Sequence, residues 1–193
     1  MRRLRNQVKY IVTRTVKPGN QLASLANGYK RAIIKTFQNQ LYTALSNNPK
    51  LSNIKWRNEY KMSSNNHGDR IDIYGKSVNF YGTLESIVII EIDNTRADQV
   101  GKKIASRFAF AGNTSCLYVA ICYPGNKSNK KECQKYFQYG TSLLKKLNPD
   151  SEFLGIIINN DMSIESYDDS MMELGPANYE IRHNPSINDL KYF

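Results

Sequence analysis

Two acidic residues stand where acids are costly. Asp72 lies inside the segment Arg70-Ile71-Asp72-Ile73-Tyr74, and Glu91 lies near the end of the apolar run Ile87–Ile92. A carboxylate withdrawn from water is unfavourable unless it is paired or bound to a cation. Acids at the ends of two adjacent strands could share Mg²⁺, a hard ion that takes oxygen ligands and keeps several of its waters. Such an ion polarises a phosphodiester and lowers the pKa of the attacking water. Asp93 follows Glu91 by two residues, so on a strand both point to one face. It reads as an added ligand, as a carboxylate behind the ligands, or as a cap on the helix that follows. Glu59, the first acid of the chain, reads as a further metal ligand or as a surface salt-bridge partner.

Other chemistries find less support. The chain has no GxxxxGK[ST] phosphate loop and no GxSxG elbow. Its two histidines, His67 and His183, are far apart, which argues against zinc and against a histidine-based nucleophile. The three cysteines form no CxxC pair and suggest reduced thiols in the cytoplasm. No apolar run approaches the roughly 20 residues of a membrane span, and Lys9 and Arg14 interrupt any export signal at the N-terminus.

The elements that must position the acids follow from periodicity. The 193 residues suit one domain, divided into a basic arm over residues 1–20, a core over 22–122, and an extension and tail over 123–193. Leu22, Leu25, Ala26, Tyr29, Ile33, Phe37, Leu41 and Leu45 recur at helical steps. Ile54–Met62, Arg70–Tyr74 and Ile87–Ile92 read as strands, with a loop or short extra strand over Ser77–Gly82. A helix capped by Thr95 carries the stripe Ala97, Val100, Ile104, Phe108 and Ala111. Cys116–Cys122 and Phe153–Ile158 read as buried strands on either side of a polar helix, Asn129–Leu147. Beyond Asn159 no period is clear. The order is α-β-β-β-α-β, then α-β, which gives an α/β class with a mixed central sheet.

The net charge is +10, and it is unevenly spread. Twelve Lys or Arg and no Asp or Glu fall between Met1 and Asn58, whereas Leu147–Ile181 has acids and no Lys or Arg. A basic half of this kind points to a polyanion, as nucleic acid or anionic membrane, or to a merely solvated surface. The buried acids favour nucleic acid, because a membrane gives them no task.

The segment order, the Asp in the second strand and the run EIDNTRADQVGKKIASR after the third resemble the PD-(D/E)XK (restriction-endonuclease-like) nuclease superfamily. The resemblance covers roughly residues 22–122. Asp72 matches the motif Asp and Glu91 the motif Glu. Ile71 stands where proline is frequent, and Asp93 occupies the lysine position of Glu-x-Lys. The resemblance implies a restriction-endonuclease-like sheet and Mg²⁺-dependent hydrolysis of double-stranded DNA, with Mn²⁺ as a substitute and a homodimer as one possible assembly. It also implies a lysine that orients the nucleophilic water, supplied in some members by the next helix. Gln99, Lys103 and Arg107 follow one another at four-residue steps there. Lys103 is therefore the expected replacement and Gln99 its support, with Lys102 turned about 100° away. The absent Glu-x-Lys lysine equally fits a nucleic-acid-binding module that has lost catalysis.

Overall fold

A computed structural model of the chain describes residues 1–16, 27–62, 69–93, 97–122, 130–159 and 163–168. Four helices and a six-stranded sheet account for most of them. The order is α1 (Arg2–Thr15), α2 (Asn27–Ser46), a 3-10 turn (Pro49–Leu51), β1 (Ile54–Lys61), β2 (Arg70–Val78), β3 (Leu84–Asp93), α3 (Ala97–Ala111), β4 (Ser115–Cys122), α4 (Lys130–Leu147), β5 (Glu152–Ile158) and β6 (Ile164–Asp168). The class is mixed α/β.

The strands lie side by side in sequence order. β1, β2 and β3 form an antiparallel meander, so strands 70–74 and 87–92 are antiparallel neighbours, as the sequence implies. The helical crossovers α3 and α4 make β3, β4 and β5 parallel. β6 returns antiparallel to β5. The continuous apolar runs of β3, β4 and β5 suit this position, because helices cover both faces. One core joins α1 and α2 to Val88, Ile90 and Ile92, and the other joins α3 and α4 to Ile87, Ile89 and Tyr118.

Several expectations change. Arg2–Thr15 form a helix where the sequence suggests an arm. Val8, Ile11 and Val12 recur on one face and are buried with Val16, and Arg5 pairs with Glu152 at the start of β5, 3.3 Å away. Basic side chains conceal this helix because they occupy its outer face. The pair Pro18-Gly19, the start of the expected helix at residues 22–26, Thr95 and the turn 63–68 lie outside the described residues. β2 does not stop at Gly75 but runs on to Val78. A Cβ at Gly75 would meet the Trp56 ring at 2.8 Å, so this glycine admits a close neighbour and breaks no strand. β6 has too short and polar a sequence to announce itself. Among the described residues no helix is long and apolar enough to cross a membrane.

Removing residues 1–16 takes four buried aliphatic side chains, each worth about 1.5–3 kcal/mol, from a fold whose net stability is of order 5–15 kcal/mol. The truncated chain is expected to lose its cooperative thermal transition and its near-UV circular dichroism. A truncated chain that melted like the full one would show that α1 is dispensable to the core.

Candidate active site

The acids meet at one end of strands β2 and β3 because of register. Ile73 lies opposite Ile90, which brings Asp72 beside the end of β3. There Asp72 Oδ2 accepts a hydrogen bond from the backbone N–H of Ile92 at 2.7 Å. On β3, Ile87 and Ile89 face α3 and α4. The period of two assigns Glu91 and Asp93 to the same side. Their side chains are 0% and 10% exposed, and that of Asp72 is 22% exposed.

Helix α3 brings two cations to these acids, one turn apart. Lys103 Nζ lies 2.9 Å from Glu91 Oε2, 2.9 Å from Asp93 Oδ1 and 3.8 Å from Asp72 Oδ2. Asp72 and Glu91 oxygens that share one ammonium cannot be further apart than the sum of their two distances to it. Arg107, itself buried, donates from Nε to Glu91 Oε1, from one terminal nitrogen to Asp69 Oδ2 at 3.1 Å, and from the other to the carbonyl of Arg70 at 2.7 Å. The guanidinium thus ties α3 to the start of β2 and the end of β3.

Four carboxylates, counting the exposed Asp69, against two cations leave the cluster short of positive charge. Burial pushes the Glu91 carboxyl up to about 7, outweighing the pull of Lys103 and Arg107, while Asp72 adds to the rise. Burial likewise raises Asp93 against the same Lys103. Desolvation draws Lys103 down, but Glu91, Asp93 and Asp72 together more than offset it, so its pKa is raised and it stays protonated. Glu91 Oε2 and Asp93 Oδ2 are buried without a hydrogen-bond donor. For Glu91 Oε2 the approach of Lys103 is therefore an ion pair by distance, without hydrogen-bond alignment.

The sign of the pH effect follows. A carboxyl whose folded pKa exceeds its unfolded value contributes stability that is complete below the unfolded pKa and lost as pH rises through the folded one. In metal-free protein, the melting temperature of the native chain should therefore fall relative to Glu91→Gln between about pH 5 and about pH 8. A constant difference between the two would show that Glu91 titrates as an ordinary carboxylate.

The other expected residues are placed as follows. Gln99 is half-buried one turn before Lys103, and among the described residues it makes no hydrogen bond to the carboxylates. Lys102 is exposed. Glu59 stands opposite Asp72 on β1 but pairs with other cations than Lys103 and Arg107. Lys35 pairs with it, Arg70 stands 3.9 Å away, and Gln38 donates to it at 3.0 Å. Burial raises the pKa of Glu59, but the hydrogen bonds from Lys35 and Gln38 overcome that and leave it lowered. Its φ of 52° is left-handed, a strained conformation for a side-chain-bearing residue. It falls where the pairing of β1 skips from Asn58↔Ile73 to Tyr60↔Ile71, opposite Asp72.

Sequence reasoning overlooked two contributors. Arg107 lies on the Lys103 flank, yet its role as partner of Glu91 was not assigned. Its place beside the apolar stripe, next to Phe108, was the available signal. Gln38, buried in α2, reaches Asn58 Oδ1 at 2.7 Å and the Asp72 carbonyl at 3.0 Å. A polar residue between Phe37 and Leu41 on an apolar helix face was the clue there.

Among the described residues no group of three or more His, Cys, Asp or Glu side chains converges as metal ligands. A scan against protein-family models and a search of curated proteins both find no match for this chain.

Proposed function

We propose that this chain is a Mg²⁺-dependent endonuclease that hydrolyses DNA phosphodiester bonds, with a restriction-endonuclease-like core formed by α2-β1-β2-β3-α3-β4. One observation carries this reading. A fully buried Glu91 and a nearly buried Asp93 sit beside Asp72 at the end of β3, around the ammonium of Lys103. Nothing in the packing of an ordinary α/β core requires three acids there, since a buried charge cluster seldom stabilises a fold better than apolar residues would. Such clusters mark functional sites.

The donor set fits Mg²⁺. Glu91 Oε2 and Asp93 Oδ2 are buried oxygens without donors, Asp72 is half-buried nearby, and Mg²⁺ is commonly held by one or two carboxylates with waters completing the shell. When bound, the ion would stabilise charge on the phosphate and lower the pKa of the attacking water. The chain's own groups do the rest. Asp72 is held by the Ile92 amide, Glu91 by Arg107, and the Lys103 ammonium is available to orient a water against the phosphate. Asp93 stands where the resembled nucleases carry lysine, and Lys103 reaches that same position from α3.

A second reading is a nucleic-acid-binding module without catalysis. The observation that favours it is Lys103 itself, whose ammonium already compensates the acids in a site where no three-ligand group converges among the described residues.

Supercoiled plasmid incubated with protein and Mg²⁺ or Mn²⁺ separates the two, beside an EDTA control. The nuclease reading expects nicked and linear products only with metal. Absence of products on substrates of diverse sequence, with duplex binding retained, turns the decision to the binding module. For either reading, duplex affinity should fall by a factor on the order of 10³ between about 50 and 200 mM salt if six or more phosphates are neutralised.

A further inference from the structure

A cleft opens between α1 and the Pro49–Leu51 turn, toward the end of β1 and β2 away from the acids. It has a volume of about 790 Å³ and is lined by Arg2, Arg3, Asn6, Gln7, Tyr10, Asn48, Pro49 and Lys50. The turn enters β1 at Ile54, which pairs with Ser77 at the far end of β2. Asp72 lies near the opposite end of that strand. At about 3.3 Å per residue along β1, the cleft and the carboxylates are separated by roughly 20 Å.

We propose that this cleft binds one nucleotide unit, phosphate together with base, either as a free nucleotide or as part of a single strand. The lining contains no acid. Arg2, Arg3 and Lys50 form no ion pair with a described residue, so three cations are left to hold a phosphate. Guanidinium forks match phosphate oxygens in geometry as well as charge. A bare anion would need nothing more, but the cleft also offers the amides of Asn6, Gln7 and Asn48 and the ring of Tyr10. Amide side chains present donors and acceptors together, as base edges do. Asn48 Oδ1 already accepts from the Lys50 amide at 2.9 Å, which fixes that wall and leaves its NH₂ free to donate. Tyr10 is 59% exposed; the Arg14 guanidinium, 5.3 Å from its ring centroid, occupies one face, and a base would stack on the face it leaves open. A membrane surface is a poorer occupant, because among the lining residues only Tyr10 is a large exposed hydrophobic.

The inference stands independently of the nuclease reading, and its test is run in EDTA to keep the two apart. Binding of a short labelled single strand to the full chain is measured by fluorescence anisotropy, with AMP and inorganic phosphate as competitors. Lys50→Ala and Tyr10→Ala are each expected to weaken binding about five-fold or more. Lys146→Ala, an exposed lysine on the opposite face, should leave it unchanged. Both target side chains are exposed, and unchanged melting temperatures verify the fold; Lys50→Gln and Tyr10→Leu serve as second variants if a first one is unstable. Competition by AMP but not by phosphate identifies a free nucleotide as sufficient. Binding of the strand without competition by AMP assigns the site to nucleic acid. The proposal is overturned if Tyr10→Ala has no effect, if Lys146→Ala weakens binding as much as Lys50→Ala, if phosphate competes as well as AMP, or if nothing binds.

Discussion

Lys103→Ala is expected to lower Mg²⁺-dependent cleavage by a factor on the order of 10² or more, the usual effect of removing one group that stabilises transition-state charge. Duplex affinity should stay nearly unchanged, because phosphate contacts are spread over many basic residues, whereas one cation acts at the reacting centre. Lys102→Ala should change little, since Lys102 is exposed on the next helical position. Asp72→Asn and Glu91→Gln should stop cleavage as well, and removing negative charge near phosphate should tighten binding. A second readout does not depend on turnover. Without Lys103, Asp72, Glu91 and Asp93 lose the cation they share, so added Mg²⁺ should raise the melting temperature of Lys103→Ala more than that of the native chain. Equal cleavage by the Lys102 and Lys103 variants would remove Lys103 from the mechanism. Equal Mg²⁺ shifts would remove the metal from this cluster.

The largest expected effect on stability is at Arg107. Replacing it with methionine keeps much of the side-chain volume but leaves Glu91, 0% exposed, without the hydrogen bond from Arg107 Nε and with Lys103 as its remaining cation. Breaking a buried pair from one side typically costs about 3–5 kcal/mol. In a chain of this size that lowers the melting temperature by roughly 6–20 °C. The Asp69 and Arg70 carbonyl contacts vanish too, so the start of β2 should exchange its amides faster. Arg107→Met combined with Glu91→Gln should recover a good part of the loss, because the penalty lies in the stranded charge more than in the missing bond. If the single variant melts within a degree or two of the native chain, Glu91 is solvated or protonated without cost, and the charge argument for the site weakens with it.

How much of this was legible beforehand depends on distance along the chain. The apolar runs at 87–92 and 116–122 and the stripe on 97–111 specify β3, β4 and α3, because burial on both faces or on one stripe is a local pattern. The four-residue step from Gln99 through Lys103 to Arg107 likewise places two cations on one flank, since the helical period is fixed by backbone geometry. The anomaly of Asp72 and Glu91 is equally visible in sequence, as acids in segments that otherwise avoid water. Helix α1 was not legible as such, because basic residues on its outer face outweigh two valines and an isoleucine in any average over the segment. What only the tertiary structure decided is which groups answer one another. Register between β2 and β3 brings Asp72 to the Ile92 amide across twenty residues, and the crossover through α3 turns Lys103 and Arg107 back onto Glu91. Glu59, eleven residues before Arg70, is drawn instead to Lys35 and Gln38 in α2. Such pairings are set by strand register and helix docking, and these depend on the whole core closing at once, so no local pattern in the sequence encodes them.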